Sequence, residues 1–224
     1  MSGVPIVRLA GVSKSYGAAD DATPVLSDVY LTIERGQKTS LVGPSGSGKS
    51  TLMSLIAGLR RPTAGRVEID GVAMSDLDDG ARARLRASRI GIALQSDNLI
   101  PFLTASENVE LAMAFVPGGS RRAAKARAID LLDRFGVGSR AQHHPRQLSG
   151  GEAQRVALAV AMANEPALLL ADEVVGQLDR QTASQVVDDV LAADFAVLFV
   201  THDLALADLA EHRYAIADGA LCPR

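Results

Sequence analysis

Residues 39–51 read TSLVGPSGSGKST. A short β-forming run, Thr39 to Val42, leads into a loop with glycine at 43, 46 and 48, and the loop opens a helical pattern from Lys49 to Ala57. Strand, glycine loop and helix in that order are the setting a phosphate-binding loop requires. Gly43, Gly46 and Gly48 let the backbone turn tightly and bring its N–H groups onto an anion without a Cβ in the way. Pro44, Ser45 and Ser47 complete the loop. Lys49 adds a point charge for β- and γ-phosphates, Ser50 a hydroxyl for Mg²⁺, and Thr51 a hydrogen bond to the α-phosphate. A plain glycine turn with a solvated lysine does not explain why every position of the pattern falls in its strand-to-helix context.

A triphosphate site also needs a carboxylate on the metal and a group that positions water. ALLLADE, residues 167–173, supplies both: a buried-looking run delivers Asp172 to a strand end, where it can hold Mg²⁺ through a water, and Glu173 follows as a general base. A second apolar run, Phe195 to Val200, ends in Thr201, His202 and Asp203. Strand ends of doubly wound sheets gather binding sites, so His202 is a candidate contact for the γ-phosphate. THD alone is a weak signal, because a histidine at a strand end is usually a satisfied structural group.

Residues 148–155, LSGGEAQR, pose a puzzle. Ser149, Gly150 and Gly151 at the head of an apolar-periodic helix look like a second anion cradle, where N–H groups and the positive end of the helix dipole converge.

Composition bounds the rest. A chain of 224 residues with 47% hydrophobic content can bury a sizeable core, and a formal charge of −3 predicts no non-specific binding to nucleic acid or anionic lipid. A single cysteine, Cys222, excludes an intrachain disulfide and fits a reducing compartment. The start shows no secretion signal, and apolar runs such as Val156 to Ala163 are far short of the roughly 20 residues a membrane-spanning helix needs. His143 and His144 have no metal-ligand partners at plausible spacing, and the groups Arg82, Arg84, Arg86, Arg89 and Arg121, Arg122, Lys125, Arg127 read as solvated helix faces.

Strands are expected at 6–12, 29–33, 39–42, 67–69, 90–94, 167–171, 195–200 and 214–217. The first four come close together, as antiparallel strands do, and the later ones alternate with helices, as parallel βαβ units do. Between 104 and 163 the pattern is almost wholly helical, broken at 117–119 and 136–138. The fold expected is α/β: a single domain over 1–224, with a P-loop NTPase core of mixed sheet and antiparallel β flank over about 1–95 and 165–224. A helical subdomain carrying LSGGE is inserted at about 96–164.

GPSGSGKST, Gln95, LSGGEAQR, LLLADE, Leu178-Asp179 and Thr201-His202-Asp203 together resemble the ATP-binding cassette family of transport ATPases, over nearly the whole chain. The resemblance resolves the puzzle. It implies that two copies face each other head to tail, so that Ser149, Gly150, Gly151 and Glu152 of one copy meet the ATP held by the phosphate loop of the other. It further implies that Tyr16 stacks on adenine, that Gln95 completes Mg²⁺ coordination and senses a permease, and that Asp179 connects the two sites. ATP and Mg²⁺ are the implied ligands, and hydrolysis of ATP to ADP and phosphate the implied reaction.

The segment QSDNLIPFLTASENVELAM, residues 95–113, is similar to cassettes of the lipoprotein-releasing and macrolide-efflux branch. Their permeases have four membrane helices and a large extracytoplasmic domain, which places such a subunit at the cytoplasmic face of the inner membrane. Two departures stand out: Val174-Val175 where the branch has Pro-Thr, and Leu94 where it has an aromatic residue before Gln95. The altered loop after Glu173 leaves one alternative in view, an ATP-dependent dimerisation module with weak hydrolysis, and a soluble cassette acting on DNA or ribosomes is another. Nothing in the chain resembles the duplicated cassettes, coiled-coil insertions or basic extensions of the latter.

Overall fold

The computed structural model describes residues 3–17, 21–94, 99–116, 118, 120–172 and 193–224. It divides into two compact units, Met1–Ala83 with Asp194–Arg224, and Arg84–Ala193.

The first unit holds two sheets. In the antiparallel one, β1 (Val7–Tyr16) lies between β2 (Thr23–Ile33) and β4 (Ala64–Ile69), and the two-residue β5 (Val72–Ala73) closes the edge. Val7, Leu9, Val12, Leu26, Val29, Leu31 and Ile33 are buried while their neighbours Arg8, Tyr30 and Thr32 are exposed, the alternation of a half-solvated antiparallel sheet. The register of β1 shifts between Leu9 and Val12, where Gly11 takes φ 60° and Asp28 on the facing strand φ 51°. Gly65 of β4 sits so close to the Gly11 carbonyl that a Cβ there would overlap it.

The other sheet of this unit runs in the order β10 (Ala220–Pro223), β9 (His212–Ala217), β3 (Lys38–Val42), β8 (Ala196–Val200). β3 is parallel to both of its neighbours, and β3 and β8 are buried at every position. Strands covered on both faces need continuous apolar runs, which is why AVLFV was legible as one. Helix α1 (Lys49–Ile56) follows β3 and buries Leu52, Met53, Leu55 and Ile56.

In the second unit β6 (Ile90–Ala93) pairs in parallel with β7 (Leu168–Asp172). Helix α2 (Asp79–Arg89) leads into it, and α3 (Ala105–Ala114), α4 (Arg121–Arg134) and α5 (Gly150–Ala161) lie between its strands in sequence. Thr104 caps α3 in a reciprocal box with Glu107, and Ser120 caps α4 by accepting from the Ala123 N–H. Helix α5 presses onto β6 so tightly that a Cβ on Gly91 would overlap the Ala161 carbonyl. Asn164 donates to the carbonyls of Ala87 (3.0 Å) and Ala112 (2.9 Å), tying the ends of α2 and α3 together.

Most expected elements are present, with shifted ends. β1 runs on to Tyr16 and β2 starts at Thr23, because register shifts carry pairing through polar residues that break the alternation. β5 and β10, two and four residues long, are too short to show a periodic pattern. Arg127, read as solvated, donates to the Ala163 carbonyl (2.9 Å) and pairs with Glu165 (3.1 Å).

Candidate functional site

The turn after β3 is shaped by close approaches rather than by space alone. A Cβ on Gly43 would overlap the Ile216 carbonyl of β9, and one on Gly48 would lie 2.9 Å from Leu26 and 3.0 Å from the Val25 carbonyl. Gly48 also has φ 106° and caps α1 without any side-chain bond, and no acidic residue occupies the first turn of that helix. The first-turn N–H groups of α1 and the positive end of its dipole therefore carry no side-chain cap.

Lys49 arches back over the loop, its Nζ donating to the carbonyls of Gly43 (2.7 Å) and Pro44 (2.8 Å). Ser47 donates its N–H to the Pro44 carbonyl (3.3 Å), while its Oγ is buried without a hydrogen-bond partner. Buried hydroxyls are ordinarily bonded, so an orphaned one inside an uncapped helix start marks the place of a ligand oxygen. The loop fits a polyphosphate. Ser45 and Ser50 are exposed, and Thr51 is half-buried on α1.

Register carries one more residue to this edge. Leu41 of β3 faces Val200 of β8, and the Thr201 N–H bonds the Leu41 carbonyl (3.2 Å), so His202 leaves its strand level with the start of the loop. Its neighbours are structural: Thr201 Oγ1 accepts from the Asp203 N–H (3.0 Å), and Asp203 caps α6 (Leu204–Ala207) by accepting from Ala205 (2.9 Å).

Tyr16, half-buried at the end of β1, pairs with Thr23, two residues before the Val25 carbonyl that abuts Gly48. Two cations flank its ring, Lys14 Nζ at 5.2 Å and Arg60 Cζ at 5.3 Å from the centroid. The loop carrying Arg60 is laced to β1: Lys14 Nζ donates to the Arg61 carbonyl (2.9 Å), Thr63 to the Ser13 carbonyl (2.8 Å), and Ser15 to Thr63 Oγ1 (3.1 Å). Lys14 was findable from sequence, since residues two apart share a strand face; Arg60, 44 positions from the tyrosine, was not.

In the second unit Asp172 ends β7, half-buried after four buried residues. Ser149 caps α5 with its Oγ accepting from the Glu152 N–H (3.3 Å), while Glu152 Oε2 accepts from the Ser149 N–H (2.8 Å). Arg140 Nε donates to the other oxygen, Oε1, at 2.7 Å. The Ser149 N–H first, then Arg140, hold the Glu152 carboxyl down to about 2. Ser149 and Gly150 are exposed and Gly151 half-exposed, whereas Gln154 is buried with neither amide atom bonded. Arg140 had no sequence signal.

Gln95, Glu173 and Asp179, with the Val174-Val175 departure, lie outside the described residues. Among the described residues no group of three or more His, Cys, Asp or Glu side chains is placed to hold a metal, and no helix is long and apolar enough to cross a membrane.

Residues 26–176 match the model of the ABC transporter family. The chain is 41% identical to the lipoprotein-releasing system ATP-binding protein LolD 1 of Caulobacter vibrioides, over 96% of this chain and 94% of that one. It is 40% identical to the macrolide export ATP-binding/permease protein MacB of Marinobacter nauticus, over 99% of this chain but 35% of MacB. Among solved structures, the ATP-binding cassette MJ0796, a dimer in a post-hydrolysis state with ADP and phosphate, superposes with a TM-score of 0.92 at 38% identity, covering 97% of both chains. A phosphate loop leaving a strand that is parallel to both of its neighbours, in a chain matched along nearly its whole length by such cassettes, has one reading: the chain belongs to the ABC transporter family and is a P-loop ATPase cassette.

Proposed function

We propose that this cassette drives a permease carried on a separate chain, and that two copies close head to tail around ATP to do so. The observation that carries the proposal is the pair of dissimilar helix starts. Helix α1 begins uncapped behind a loop with an orphaned hydroxyl, and α5 begins capped and exposed at Ser149 and Gly150. An exposed glycine-rich helix start suits an anion brought by another molecule. The dimeric state of the MJ0796 cassette supports a second copy as that molecule.

In this reading the loop N–H groups of residues 43–51, Ser47 Oγ and Lys49 hold the β- and γ-phosphates, and Tyr16 stacks on the base. Ser50, Asp172 and Gln95 would hold Mg²⁺, which supplies charge neutralisation between the phosphates. Glu173 takes the proton of the attacking water, His202 contacts the γ-phosphate, and Asp179 links the two sites. Ser149, Gly150 and Gly151 donate to the γ-phosphate of the partner copy.

Similarity to LolD 1, named as the ATP-binding protein of a lipoprotein-releasing system, and to MacB, named for both ATP binding and permease, supports a permease as the partner. The second unit offers a candidate docking face: a cleft of about 790 Å³ lined by Leu103, Leu111, Met113 and Val116 with charged residues such as Glu107, Glu110 and Arg121 among them, and Phe102, next to Leu103 in sequence, is 76% exposed. The subunit then works at the cytoplasmic face of the membrane, and its permease is of the four-helix type with a large extracytoplasmic domain.

The experiment is Glu173→Gln in the full chain. Mg-ATP should bind and accumulate a dimer in sedimentation, with turnover lost. Near-normal steady-state hydrolysis would remove Glu173 from its role.

A further inference from the structure

We propose that Arg140 is a positioning residue of the α5 phosphate cradle, compensating the charge of Glu152 so that a helix start bearing a carboxylate can still receive an anion. The proposal rests on the reading that the α5 start meets the partner copy's γ-phosphate. It concerns what makes that start competent.

A helix leaves four N–H groups without intrahelical partners. At α5 the reciprocal box consumes two of them: the Ser149 N–H goes to Glu152 Oε2 (2.8 Å) and the Glu152 N–H to Ser149 Oγ (3.3 Å). The N–H groups of Gly150 and Gly151 remain, with the Ser149 hydroxyl proton, since that oxygen is used as an acceptor and not as a donor. Three donors therefore remain at the helix start beside a full negative charge.

That charge stabilises the isolated helix, because a carboxylate in the first turn complements the dipole. Toward an incoming phosphate it acts the other way, repelling the same group the glycine N–H groups attract. Arg140 resolves the conflict. Its Nε takes Glu152 Oε1 at 2.7 Å, leaving neither oxygen of the carboxylate without a strong donor and placing a guanidinium against it. Arg140 comes from the 3₁₀ turn Gly138–Arg140 that follows α4. The pair thus fastens the first turn of α5 to the 3₁₀ turn and fixes the direction of the capping carboxylate. Glu152 is 18% exposed and Arg140 43%, so the compensation operates at the surface where a partner would arrive.

The test is a double-mutant cycle on the full chain carrying Glu173→Gln, reading by sedimentation the Mg-ATP concentration that gives half-maximal dimer. Arg140→Ala should raise that concentration about fivefold or more, the scale of one unpaired charge beside a helix start. Arg140→Lys, which keeps the charge, should recover part of the loss. Glu152→Gln should dimerise at least as readily as the parent, and adding Arg140→Ala to it should cost less than about twofold. Equal losses in both backgrounds would show that Arg140 acts through folding alone and would overturn the proposal, as would no loss in either. Turnover in chains retaining Glu173 should follow the same four-way pattern. Ser149→Ala separates the two levels. If it leaves dimerisation untouched, the cradle reading itself fails; if it weakens dimerisation while Arg140→Ala does not, only the present proposal fails.

Discussion

The guanidinium carbon of Arg60 lies 5.3 Å from the centre of the Tyr16 ring, on a loop hydrogen-bonded along β1. With Lys14 at 5.2 Å, a second cation lies over the same ring. Arg60→Ala should raise the KM for ATP about threefold with kcat unchanged, the effect of losing one exposed cation–π contact. Tyr16→Ala should raise it by about tenfold, in line with the loss of a base stack. A change in kcat for Arg60→Ala would place Arg60 elsewhere in the cycle.

The Ser149 substitution has a second readout. Because Ser149 lies on a different helix start from Lys49, Ser149→Ala should leave nucleotide affinity of the dilute monomer within about twofold, measured by fluorescent nucleotide titration, while turnover falls by about tenfold or more. Loss of affinity in the monomer would reassign the cradle to its own chain's nucleotide.

Stability should depend on pH through Glu152. Its carboxyl is lowered from 4.5 to about 2 in the folded chain, so it contributes stability that is present above about pH 4.5 and is lost as pH falls toward 2. The Tm difference between the parent and Glu152→Gln should therefore stay constant above about pH 5 and shrink below it. A difference that grows on acidification would contradict the sign.

Packing of α5 on β6 leaves no room at Gly91. Gly91→Ala should lower unfolding stability by about 2 kcal/mol or more, since the Cβ meets a backbone carbonyl that cannot rotate away. Thr104→Ala, which removes the capping box of α3, should cost about 1 kcal/mol. Urea unfolding of both variants gives the comparison.

Phe102→Ser should leave turnover of the free subunit unchanged and abolish any stimulation by the reconstituted permease. Loss of basal turnover would place Phe102 in the ATPase machinery instead of the docking face.

The phosphate loop was legible because a local pattern dictates it: Gly43, Gly48 and Lys49 are neighbours in sequence and in space. AVLFV and LLLAD were legible because burial on both faces demands unbroken apolar runs. Arg60 and Arg140 were not: Arg60 meets Tyr16 only after the chain has passed through β2, β3 and α1, Arg140 meets Glu152 across an irregular connection with no periodicity, and an arginine alone carries no pattern. The first half of β2 was hidden for a related reason, its pairing following register shifts in β1 and not a regular hydrophobic alternation. Beside His202, Thr201 Oγ1 accepts from the Asp203 N–H and Asp203 caps α6, local backbone bonds that the polar cluster in the sequence did not distinguish.

Lys49 spends two of its three ammonium protons on the carbonyls of Gly43 and Pro44. The side chain is thus a strut that braces the loop from within, as well as a charge offered to a phosphate. Replacing it by alanine removes an internal crossbeam from a turn packed against Ile216, Val25 and Leu26. A Lys49→Ala chain is therefore an altered scaffold and not merely a cassette deprived of one ligand contact. Its failure to bind ATP would report architecture and affinity together.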